Sequence, residues 1–160
     1  MAQPAYLKLK INGEDIEGDS PVASLGRQDS IECLSFGSSV EVPVGDRDGR
    51  PGKRQHGPVN FVKRIDRSTP LLLKALVRNE RVDEAEFRFF RPDTETGEEV
   101  HFYTVRLENG KITGVEQSSE DSTLVGDDAP PMLEEVAIVF HTITWTYEPT
   151  GATHTDSLTA

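Results

Sequence analysis

Residues 43–57, PVGDRDGRPGKRQHG, set Lys53 in a glycine-rich run, the composition from which phosphate-binding loops are made. In such a loop successive backbone N–H groups cradle a phosphate and the lysine reaches its outer oxygens. The spacing fails that chemistry. Arg47 stands where the pattern needs its first glycine, and Arg54 follows Lys53 where Ser or Thr is required. The same lysine opens a basic strip, residues 52–76, GKRQHGPVNFVKRIDRSTPLLLKAL, which holds six of the seventeen Lys and Arg and a single acid, Asp66. Nucleic acid is the obvious partner for such a strip, because Lys and Arg displace counterions from phosphates. The chain's net charge of −11, its pI near 4.8 and the presence of only Phe61 as a stacking platform oppose that reading. A strip facing solvent or another protein fits better.

The remaining reactive residue types form no centre. His56, His101, His141 and His154 lack the i,i+4 or H-x-H spacing that gathers imidazoles on a metal. Cys33 lies in apolar IECLSF and reads as a buried structural thiol, with no second cysteine for a disulfide. There is no G-x-S-x-G motif, and the carboxylates fall mostly in turns and on exposed strand faces. These residues predict no catalytic site, no cofactor and no metal.

The elements that carry these residues are mostly strands. Short alternating runs of Val, Ile, Phe, Tyr and Thr recur between Gly, Asn and Pro at residues 6–11, 30–42, 58–65, 83–91, 99–108 and 133–147. A bulge is expected at Gly37, and Asn109-Gly110 is the strongest hairpin signal. In the last run Val136, Ile138 and Phe140 share one parity while Ile143, Trp145 and Tyr147 share the other. Either the chain switches faces near His141 or both faces are covered. One helix is expected after Ser68 or Thr69 as cap, with Pro70 in the first turn and Asn79 closing the end. Leu72, Leu73, Ala75, Leu76 and Val77 wrap most of its circumference, so it should be buried on two sides, plugging an end or seam of a barrel. Residues 43–57 and the acidic 117–131 read as loops.

A chain of 160 residues suits one domain, taken as 1–160 with a core of about 5–148 and a tail at 149–160. Apolar residues at 35% are few enough to suggest that partner chains supply part of the burial. MAQPAYLKLKING has no apolar run of about 7 to 15 residues, as a signal peptide would, and no stretch approaches the ~20 apolar residues of a spanning helix. The expectation is a soluble protein made in the cytoplasm, without membrane insertion, that leaves the cell, if it does, without an N-terminal signal.

Taken in order, YLKLKINGEDIEGDS, SIECLSFGSSV, GKRQHGPVNFVKRIDRSTPLLLKAL, EAEFRFFRPD, EEVHFYTVRLENGKITGV and LEEVAIVFHTITWTYE resemble the haemolysin-coregulated protein family of the bacterial type VI secretion system, over about residues 5–148. The resemblance implies a mainly β protein, an antiparallel two-sheet β-barrel with one flanking α-helix, six copies of which close into a ring. Stacked rings would form a hollow exported tube carrying effector proteins, with the contractile sheath and spike proteins as further partners. On that footing Lys53, Arg54, His56, Lys63 and Arg64 are the candidate ring-stacking residues, oriented by complementary charge such as that of 117–131. Two other classes stay open: a monomeric β-barrel that binds a small ligand, and a cupin-like enzyme. The first needs a roomy interior, whereas Phe87, Phe89, Phe90, Phe102, Tyr103 and Phe140 suggest a filled one. The second needs converging metal ligands.

Overall fold

Alternation of apolar and charged residues makes β1, Ala5–Ile11, whose Leu7, Leu9 and Ile11 point inward while Lys10 stays exposed. The computed structural model describes residues 3–44, 52–121, 123 and 131–158. Asn12 and Gly13 follow β1 with φ of 51° and 83°, the paired positive angles of a two-residue hairpin. The chain then returns as β2, Glu14–Ile16, with Glu14 opposite Ile11. Next comes β3, Ile31–Gly37, which ends at Gly37; its irregularity falls between Cys33 and Ser35 and not at the expected glycine. Short β4, Val40–Glu41, and β5, Gln55–His56, pair as a separate ribbon. The order is completed by β6, Val59–Arg64; α1, Thr69–Val77; β7, Val82–Pro92; β8, Glu99–Ser118; β9, Leu133–Val139; β10, Thr142–Tyr147; and β11, Ala152–Ser157.

Closure of the barrel rests on the twenty-residue β8. The series β7, β1, β3, β6, β9 begins and ends on it, since β7 pairs with its first half and β9 with its second. Along that second edge β9 and β10 form one line, with Val139 opposite Lys111 and Thr142 opposite Glu108. Both lines bend at the same level. Across from the break at Phe140 and His141 lie Asn109 and Gly110, and the His141 N–H donates to the Glu108 and Asn109 carbonyls at 3.2 and 3.0 Å. The bent pair therefore passes from the wall containing β6 and β3 to the wall containing β7, β10 and β11, which makes a two-sheet barrel. The expected change of face near His141 is this bend.

The hairpin expected at Asn109-Gly110 is thus corrected to a bend within a continuous strand, whose register is unbroken there on both edges. A type I′ turn needs positive φ at both central residues, and only Asn109 has it, at 54°. Gly110 serves another purpose: a Cβ there would lie 2.2 Å from the Val139 carbonyl oxygen, so a side chain would hold β9 away from β8.

Inside the barrel, Leu7, Ile31, Val59, Phe61, Val82, Ala85, Phe87, Val136 and Ile138 are buried. Phe87 meets Phe61 and Phe36 edge to face at centroid distances of 5.4 and 4.9 Å, so aromatic side chains occupy the centre where a small-ligand barrel would need space. Cys33 is fully buried among them, and burial pushes its thiol pKa far up.

Helix α1 begins with Pro70 in its first turn and ends as the sequence predicts. Asn79, at φ 55°, lets its own N–H reach the Leu76 carbonyl and the Glu80 N–H reach the Ala75 carbonyl, a Schellman closure. The hydroxyl cap expected from Ser68 or Thr69 is absent, because both hydroxyls bind carboxylates instead. Burial also differs from expectation. Leu72 and Ala75 enter the core, but Leu71 is exposed and Val77 is 81% exposed, so within the protomer the helix is covered on one face only.

Gly110→Ala is expected to cost about 3–5 kcal/mol, since backbone and not a movable side chain opposes the new methyl. The midpoint of urea unfolding, compared with that of Gly37→Ala, where open space surrounds the glycine, checks this.

Candidate functional site

Strand parity decides the fate of the basic strip. In β6, Val59 and Phe61 face the core, and the same alternation carries Lys63 inward to 0% exposure. Its ammonium lies 2.5 Å from Glu134 of β9 and 2.9 Å from Asp66, and it donates to Thr69 Oγ1 at 3.1 Å and the Arg64 carbonyl at 2.9 Å. Glu134 is equally buried, stands opposite Lys63 in the β6–β9 register, and accepts further hydrogen bonds from Thr69 Oγ1 at 3.0 Å and Gln117 Nε2 at 3.1 Å. Asp66 accepts the Ser68 N–H at 2.9 Å and the Ser68 hydroxyl. Burial alone would raise its pKa; the Ser68 hydroxyl, Lys63 and the Ser68 N–H outweigh that and hold it below the usual range. Lys63, a candidate for contact between rings, therefore sits inside the protomer. It joins β6, β9 and the start of α1.

Arg64, next in sequence, has the opposite parity and is half exposed, paired with Glu32 of β3. Arg67 gathers Asp29 at 2.6 Å, Asp19 at 3.1 Å and Glu17 at 3.2 Å, and Lys74 lies 3.7 Å from Glu80. Arg54 Nε donates to Asp156 at 2.6 Å and its Nη2 to the Ser157 carbonyl at 2.9 Å. His56 donates to the same carboxylate at 2.7 Å. Within the strip, Lys53 alone is exposed without an ion-pair partner among the described residues. Most of the strip's positive charge is thus matched within the chain, which alters the picture of a bare basic pole. Of the acidic segment expected to complement it, residue 122 and residues 124–130 lie outside the described residues.

The structure brings Arg54 and His56 together, separates Lys63 from them, and adds partners not identified from sequence. The His56 side chain is 2% exposed, edge-on to Phe140 at 5.6 Å and stacked on Trp145 at 6.2 Å. Asp156 comes from the segment read as a tail, which supplies β11. Glu134 was legible, since it shares the parity of Val136 and Ile138; nothing local in GATHTDSLTA marks Asp156 as a partner of residues one hundred positions earlier. The Asp156 pKa is held to about 2, chiefly by the hydrogen bonds from Arg54 and His56.

Beside this tether the surface turns apolar. Val40, Val42 and Val44, on alternate residues, are each about half or more exposed; elsewhere on the protomer, Leu71 and Val77 of α1 are exposed as well. Among the described residues no group of three or more His, Cys, Asp or Glu side chains is arranged to hold a metal ion. Among the same residues no helix is long and apolar enough to cross a membrane.

A family described as type VI secretion system effector, Hcp, matches residues 6–147. A major exported protein of Pseudomonas aeruginosa is 32% identical, over 98% of this chain and 95% of its own. Among solved structures, a mutant of Hcp1 from Escherichia coli EAEC 042 superposes with a TM-score of 0.83 at 33% identity, covering 98% of this chain and 99% of that one. A further Hcp protein superposes at 0.87 with 28% identity and 99% coverage of both chains.

Glu134→Leu alone leaves the Lys63 ammonium buried and is expected to cost about 3–5 kcal/mol, whereas Lys63→Met with Glu134→Leu should recover most of the loss. Chemical denaturation of the three proteins checks this. The Asp66 contribution carries the sign of a depressed carboxylate: it is complete above the ordinary value of 3.8 and lost as pH falls through the lowered one.

Proposed function

The chain belongs to the Hcp family of the type VI secretion system, and from that premise we propose how this protomer builds and joins its rings. It is a structural subunit of the secreted tube, in a family of tube proteins and not of enzymes. The observation that carries the reading is the contrast between a closed, filled barrel and the apolar residues left outside it. Val40, Val42 and Val44 and the second face of α1, Leu71 and Val77, await cover by other copies. Six protomers closing head to tail would bury such surfaces without leaving a free end.

Stacking of one ring on the next falls to the segment between β4 and β5. Lys53 is exposed and unpaired among the described residues, so its charge is available to a neighbouring ring. Arg54 and His56 instead hold the segment to its own subunit, Lys63 holds the fold, and Arg64 is engaged with Glu32. Effector proteins in the lumen, a sheath around the tube and a spike at its tip complete the proposed set of partners. The chain itself contributes binding surface and no chemistry, as suits a family of tube proteins.

Purified protein is expected at six times 17.7 kDa in native mass measurement, with annular particles in electron micrographs. A monomer stable across a wide concentration range would overturn the reading. Lys53→Glu should leave that mass unchanged yet reduce the fraction of rings in stacks by about tenfold, because small surface terms repeat six times at each junction. Salt should weaken wild-type stacking in the same direction.

A further inference from the structure

We infer that Asp156 is a positioning residue: from the last strand, β11, it sets the pose of the β4–β5 ribbon and so governs how Lys53 is presented to a neighbouring ring. The ribbon itself is slight. It has two paired positions, Val40 with His56 and Glu41 with Gln55, flanked by backbone bonds from the Gly57 N–H to the Ser39 carbonyl at 3.0 Å and from the Gly52 N–H to the Pro43 carbonyl at 2.6 Å. A two-residue ribbon does not hold itself against water. Its polar anchorage to the barrel converges on two adjacent residues: Arg54 and His56 both donate to the Asp156 carboxylate, and Arg54 also donates to the Ser157 carbonyl.

The site is built, not incidental. The His56 ring is almost wholly buried, laid on Trp145 and against the edge of Phe140, so its Nε2 can find a partner only at Asp156. Trp145 in turn stacks on His154, its cross-strand neighbour in β11, at 6.1 Å and 8°. Both the polar and the aromatic contacts of the ribbon base thus depend on β11 being in register beside β10. Asp156 faces Arg54 and His56 from the ribbon, with His154 beyond Trp145 on its own strand. Two donors on one carboxylate form a charge-assisted fork whose loss leaves a buried imidazole without its acceptor.

The consequence for stacking rests on the function proposed above; the consequence for the ribbon does not, and the test separates them. Asp156→Asn would be compared with wild type as assembled hexamers by hydrogen exchange at the Gln55 and Gly57 amides, whose residues occupy the hydrogen-bonded positions of the ribbon, and by acrylamide quenching of Trp145, the sole tryptophan. We expect exchange at least tenfold faster, quenching increased about twofold, and stacking reduced as far as by Lys53→Glu, with the hexamer intact. Asp156→Glu, which keeps a carboxylate for both donors, should leave exchange slower than Asp156→Asn does, whereas Arg54→Glu and Asp156→Arg should each speed it. Unchanged exchange in Asp156→Asn hexamers would overturn the inference, and so would fast exchange with undiminished stacking. Should Asp156→Asn fail to assemble, Arg54→Gln, which removes two of the three contacts from a half-exposed side chain, gives the same comparison. Wild-type rings that never stack would count against the proposed function, and exchange would still decide whether Asp156 holds the ribbon.

Discussion

An ammonium and a carboxylate, each removed from water, have to satisfy one another, and the geometry around Lys63 and Glu134 follows from that requirement. Taking two such charges out of water costs several kcal/mol per ion, which only close pairing offsets, so the pair tolerates few arrangements. Lys63 and Glu134 are direct partners in the β6–β9 register. A slip of one residue by either strand would turn its own charge to the outer face, away from its partner, and bring its apolar residues out with it. The same ammonium reaches Asp66 and Thr69, which ties the first turn of α1 to the strands, and the Ser68 hydroxyl is drawn to Asp66 instead of capping the helix. A hydrophobic pair of similar size could fill the space as well; what it would lack is this single permitted register.

With β6 and β9 aligned, the bend shared by β8 and the β9–β10 line determines everything outside the barrel. Beyond Gly110 the pair belongs to one wall, and before it to the other. That leaves β10 with a second edge, on which β11 settles, and β11 carries the carboxylate that receives the ribbon. Barrel closure, β11 and the β4–β5 ribbon form a sequence of dependencies running outward from the core. The buried core lies in the inner members, while the exposed Val40 and Val42 belong to the outermost one and its continuation.

Much of the inner part was legible in the residues. Alternation located the main strands, and Pro70 with Asn79 bounded α1, because these signals are local. The same dipeptide, Asn-Gly, was read alike at 12–13 and 109–110, yet only the first is a hairpin: what differs is the β9 backbone packed against Gly110, a contact across 29 residues that no local pattern records. Lys63 was read with its basic neighbours as surface, although its parity with Val59 and Phe61 already turned it inward. Charge dominated that reading where periodicity should have. Asp156 was out of reach, since pairing Arg54 with it requires knowing that β11 lies over the ribbon base.

Cys33 bears on the passage this protein makes from a reducing interior to an oxidising exterior. A single thiol per subunit, repeated around a ring and along a tube, would offer many chances for cross-links once glutathione is left behind. The thiolate is the reactive form, and here the sulfur is enclosed by the barrel, 3.7 Å from the Ile31 carbonyl, with ionisation strongly opposed by its surroundings. The tube therefore changes redox compartment without changing its covalent structure, and its subunits stay joined only by contacts that can come apart again.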